Sequence, residues 1–89
     1  MKIIEGFKLR QLGKEHIIVG EGLQQVNFNK MVALNASAAY LWEAVMDREF
    51  TVDDLTDLLL EKYDVEREVA ANDAAALAKS WIEAGIVAE

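Results

Sequence analysis

The stretch VALNASAAYLWEAV, residues 32–45, decides the fold. Val32, Ala33 and Leu34 read as the end of a strand. Ala38, Leu41, Trp42 and Val45 then recur at i, i+3, i+4 and i+7, the apolar stripe of an amphipathic helix. Asn35 stands at the switch, where its side-chain oxygen can accept from the amide of Ser37 or Ala38 and start the helix with no intervening loop.

Toward the N-terminus the pattern is that of a sheet. Val26, Phe28, Val32 and Leu34 share one parity, and Asn27, Asn29, Met31 and Ala33 the other, as expected for one buried and one solvated face. Lys30 interrupts the apolar parity, which confines the firm strand to Met31, Val32, Ala33 and Leu34. Gly20-Glu21-Gly22 breaks the chain before it. His16-Ile17-Ile18-Val19, rich in β-branched residues, and Phe7 to Leu12 form a hairpin around a turn at Gly13-Lys14-Glu15.

Toward the C-terminus two more helices follow. Thr51-Val52-Asp53-Asp54 is a capping box, and Phe50 before it can pack on Leu55 as a hydrophobic staple. Leu55, Leu58 and Leu59 give that helix its buried face, and Tyr63-Asp64 ends it. A third helix starts between Asp64 and Glu66 and runs to about Ala84, where Gly85 suits a left-handed C′ position and Ile86 can close back on Trp81. The order predicts an α+β, winged-helix-like fold: a small antiparallel sheet of about three strands, then three helices. With no proline, linker or repeat, residues 1–89 read as a single domain.

Composition excludes several function classes. Hydrophobic residues are 53% and charged ones 28% of the chain, the balance of a globular domain. No apolar run is long enough to cross a bilayer, so no membrane partner is expected. MKIIEGFKLRQ has no signal-peptide pattern, which makes a cytoplasmic location the expectation. The absence of cysteine removes disulfides, thiolate zinc sites and redox motifs. Five cations against three acids make residues 1–35 net +2, while four cations against thirteen acids make the remainder net −9. Nucleic acid is not an expected partner, because phosphate binding rests mainly on Lys and Arg.

Catalytic parts are scarce. His16 is the one histidine, in a strand, and reads as structural. Ser37 and Ser80 have no evident base beside them. Asp53, Asp54, Asp57, Glu61 and Asp64 lack the spacing of a calcium loop and read as a solvated helix face. No enzyme, metal or cofactor is expected. Trp42 and Trp81 read as core residues, their indole N–H groups finding partners inside. The third helix is less ordinary. Val69 to Ala78 is apolar almost all round but made of small side chains, so two different backbones can approach it, one from its own sheet and one from a guest.

Leu34-Asn35-x-x-Ala38-x-x-Leu41-Trp42, then Phe50-Thr51-x-x-Asp54-Leu55 with Leu58, Leu59 and Tyr63, then Asp73-x-x-x-Leu77 and Gly85-Ile86-Val87, resemble the PqqD-like family of pyrroloquinoline quinone biosynthesis protein D. The similarity runs from about His16 to Val87. It implies a non-catalytic recognition element for ribosomally made, post-translationally modified peptides, which captures a precursor's leader and presents it to a modifying enzyme, typically a radical S-adenosylmethionine enzyme. It also implies that the leader adds a strand beside Met31, Val32, Ala33 and Leu34 and lies against a helix face drawn from Val69, Asp73, Ala76, Leu77 and Ser80. Here Asp47 is followed by Arg48, where the family often has an Asp-Gly turn.

The physics of an exposed edge agrees with this. Backbone pairing accepts a guest strand whatever its sequence. Four residues supply a few such bonds at about 1 kcal/mol each, whereas a micromolar complex needs about 8 kcal/mol. Side chains buried on the helix must supply the rest. The acidic third helix favours a basic or mixed-charge guest. Two other readings are a winged-helix DNA-binding protein, opposed by the charge of the third helix, and a protein scaffold or homodimer joined through the same edge.

Overall fold

The computed structural model describes residues 1–20 and 31–89. Its strands are β1 (Lys2–Ile3), β2 (Phe7–Leu12), β3 (Glu15–Gly20), β4 (Met31–Leu34) and β5 (Val87–Ala88), and its helices α1 (Ala36–Val45), α2 (Val52–Lys62) and α3 (Arg67–Glu83). The architecture is α+β, as expected. The break at Glu21-Gly22 and the alternation at Val26, Asn27, Phe28, Asn29 and Lys30 lie outside the described residues.

The main sheet is antiparallel in the order β2-β3-β4. Leu12 pairs with Glu15, leaving Gly13-Lys14 as a two-residue turn. Gly13 takes φ 65° while no non-glycine residue among those described has positive φ, the type II′ arrangement in which glycine fills the first turn position without strain. β4 pairs with β3 from His16↔Leu34 to Val19↔Met31. The period-2 reading holds there, for Val32 and Leu34 pack against the core while Met31 and Ala33 are exposed.

The helix ends follow their capping residues. The Asn35 side chain accepts from the Ala38 amide at 2.8 Å, so α1 begins one residue after β4. Both halves of the Thr51 capping box are formed, at 3.1 Å from the Asp54 amide to Thr51 Oγ1 and 2.9 Å from the Thr51 amide to Asp54 Oδ2. At the end of α3 the Ile86 amide donates to the Trp81 carbonyl and the Gly85 amide to that of Ile82, at 3.1 and 3.0 Å. With Gly85 at φ 79°, this is the Schellman closure that Gly85 and Ile86 foretold.

One core joins sheet and helices. Ile18 from β3, Leu41, Trp42 and Val45 from α1, Leu55 from α2, and Ala74 and Trp81 from α3 are almost wholly buried. Phe50 is buried with Leu55 in the same cluster, consistent with the staple. Trp81 meets the rings of Trp42 and Phe50 edge-on, with centroids 5.4 and 6.3 Å away. The expectation of a partner for each indole fails at Trp81, whose buried Nε1 has no hydrogen-bond acceptor among the described residues. The favourable edge-to-face packing of its ring accompanies that loss.

One feature escaped the sequence reading. β1 and β5 pair antiparallel as a second, two-stranded sheet. The Met1 amino group donates to the Phe50 carbonyl and the Phe50 amide to the Met1 carbonyl, both at 2.8 Å, and Ile4 donates to Ile86 at 3.0 Å. Strands of two residues are too short to carry a periodic signal. Their pairing depends on the helices bringing remote segments together.

Candidate functional site

β4 is an edge. Among the described residues it pairs with β3 on one side and with no strand on the other. Backbone groups in an antiparallel strand point alternately to either side, so half of the N–H and C=O groups of Met31–Leu34 face away from β3. The switch at Asn35 then places the first turn of α1 directly at the end of this edge.

An open groove of about 440 Å³ lies there, lined by Asn35, Ser37, Ala38 and Leu41, by Leu59 of α2, and by Asp73, Ala76, Leu77 and Ser80 of α3. The four α3 residues fall at i, i+3, i+4 and i+7, one stripe along the helix. The neighbouring stripe, Ala70, Ala74, Ala78 and Trp81, about 100° round the helix, is buried in the core. α3 therefore carries one stripe spent inside the protein and, beside it, one that is open. A smaller hollow of about 190 Å³ shares Ser37, Leu59 and Asp73 with the groove and extends to Tyr63, Val65 and Ala70. Another, at the hairpin end of β4, is lined by Ala33 and Leu34 together with Lys14, Glu15, His16 and Asn35.

Asp73, Ala76, Leu77 and Ser80 are thus brought together. Val69 is not: it is 48% exposed and lines none of these hollows. Met31, 60% exposed, and Val32 do not line them either. The sequence reading missed the contribution of Asn35, Ser37, Ala38, Leu41 and Leu59. Asn35 carried the signal, because a helix capped at a strand's last residue must set its first turn beside that strand's edge.

Electrostatically the groove is simple. Among the described residues that line it, Asp73 is the one ionisable group. Elsewhere on the helical side the acids near a guanidinium are engaged, Asp54 with Arg48 at 3.0 Å and Asp57 with Arg67 at 3.2 Å. No His, Cys, Asp or Glu cluster able to hold a metal ion occurs among the described residues. No helix of the described residues is long and apolar enough to cross a membrane.

This is the build of a small α+β domain whose described residues leave a sheet edge unpaired near an open helix face. Two solved structures share the fold. TbiB1 in complex with the TbiA(beta) leader peptide superposes with a TM-score of 0.74 at 16% identity, covering 98% of this chain and 94% of that one. A lasso peptide synthetase B1 complexed with the leader peptide gives 0.73 at 23% identity, covering 99% and 96%. No curated protein sequence matches the chain. The model of the family described as coenzyme PQQ synthesis protein D (PqqD) matches residues 11–87, and the chain belongs to that family.

Proposed function

We propose that this protein is a non-catalytic accessory protein that captures the leader of a ribosomally synthesised precursor peptide and presents it to a modifying enzyme, such as a radical S-adenosylmethionine enzyme. The observation that carries the reading is an edge strand, β4, that leads through Asn35 into a groove on the open face of α3. Family membership supports it, as do two proteins of the same fold bound to leader peptides.

The mechanism follows from the two surfaces. The leader extends along β4, its backbone satisfying the outward amides and carbonyls of Met31, Val32, Ala33 and Leu34. Alternate side chains of the guest then point to one face, and those meeting Asp73, Ala76, Leu77 and Ser80 leave water. At about 25 cal/mol per Å², burying some 200 Å² of apolar guest surface contributes about 5 kcal/mol. Backbone pairing thus fixes register and orientation, while the groove supplies most affinity and the selection among peptides. Modification chemistry belongs to the partner enzyme, whose access to the guest improves when the leader is held extended.

Titration of the isotope-labelled protein with synthetic leaders of short precursor genes neighbouring its own tests the reading. Amide shifts should concentrate at Met31–Leu34 and along Asp73–Ser80. Prolines at Ala33 and at Val32 probe the two alternate backbone directions. The outward-facing one should weaken binding at least tenfold while the domain stays folded. Wild-type affinity in both folded variants would remove β4 as the docking edge.

A further inference from the structure

We infer that Asp73 makes the groove selective for a guest carrying a lysine or arginine two residues from an apolar side chain. This rests on the peptide-docking reading above and narrows it. Asp73 lines both the groove and the hollow that adjoins it through Ser37 and Leu59, and no lysine or arginine among the described residues lines either. Among the described residues the Asp73 carboxylate has no ion pair or hydrogen bond, whereas Asp54 and Asp57 each hold an arginine. Around it the walls are Leu41, Leu59 and Leu77. An apolar wall ending in an unpaired carboxylate matches the lysine and arginine side chains, whose methylene stems lie on apolar surface while their charged heads reach a polar tip. A guest glutamate or aspartate at the same place would set two like charges together as water is displaced.

The spacing follows from helix and strand geometry. Asp73 and Leu77 are four residues apart, a rise of about 6 Å along α3. Side chains on one face of an extended guest repeat every two residues, about 6.7 Å. A guest lying along α3 therefore sets one side chain at Asp73 and the next on that face at Leu77. Asp73 to Ser80 spans about 10.5 Å, enough for about three extended residues. The recognised unit is a cation, any residue and an apolar residue, in either chain direction.

Selection of a phage-displayed random library of twelve-residue peptides on the full chain tests this. The wild type should enrich Lys or Arg about two- to fivefold over Gln at one position, the discrimination of a partly exposed ion pair, with an apolar residue two positions away. Asp73→Asn should flatten the charge preference, and Asp73→Lys should turn it toward Asp and Glu. Asp57→Lys changes net charge equally but lies outside the groove, and should retain the wild-type preference. Identical preferences in the wild type and both Asp73 variants, with peptides still selected, would overturn the role of Asp73 and leave peptide docking intact. Enrichment of the cation without an apolar residue at two would overturn the spacing. Failure of every folded form to enrich any sequence would remove the peptide reading itself.

Discussion

Two stripes of α3 lie side by side, each including alanine, and do different work. One presents Ala70, Ala74, Ala78 and Trp81 to the core; the other presents Asp73, Ala76, Leu77 and Ser80 to an open groove. Alanine serves both sides for one reason, since a methyl side chain lets another backbone come close. On the inner face the close neighbours belong to this chain and are always present. On the outer face the place is left for a chain that comes and goes. Small residues on a helix thus mark close approach, and do not say whose backbone approaches.

Substitutions on the two faces can break or sharpen that contrast. Trp81→Ala should have the largest effect, about 3–5 kcal/mol of stability, because it removes the ring that meets both Trp42 and Phe50. Urea denaturation reads this directly, and a loss below 1 kcal/mol would mean that Trp81 is not the centre of the core. Ala74→Leu overfills a fully buried position and should cost about 1–3 kcal/mol. Ala76→Phe, two residues further along on the open face, should leave stability within about 0.5 kcal/mol, as surface changes do. It should fill the groove and weaken leader binding about tenfold or more by calorimetry. If Ala76→Phe unfolds the protein, or Ala74→Leu leaves stability intact, the two faces have been misassigned. Asn35→Ala should cost about 1 kcal/mol by removing the cap on the Ala38 amide, with a correspondingly lower denaturation midpoint.

Local signals were legible to a useful degree. The strand at Met31–Leu34, the Asn35 and Thr51 caps and the Gly85-Ile86 closure each depend on residues within about six positions of one another, and the hairpin on pairs no more than thirteen apart, where hydrogen bonding and side-chain period act directly. Of the expected site, Asp73, Ala76, Leu77 and Ser80 meet in one groove because their spacing puts them on one stripe. Val69 lies on the same stripe one turn before Asp73, but it is half exposed and lines neither hollow. Leu59 was read only as a core residue of α2, and its second role in lining the groove was invisible.

The sequence by itself determined the hairpin, the strand before α1, the three helices in their order, and the Asn35 and Thr51 caps, since these arise from contacts within a turn or a strand repeat. Only the tertiary structure decided that β1 joins β5, that α1 and α2 stand across from one stripe of α3 to make a groove, and that Asp73, unpaired among the described residues, ends up beside leucine walls. Those outcomes depend on which distant segments the packed core holds together, and no local pattern of residues encodes the distance between two elements.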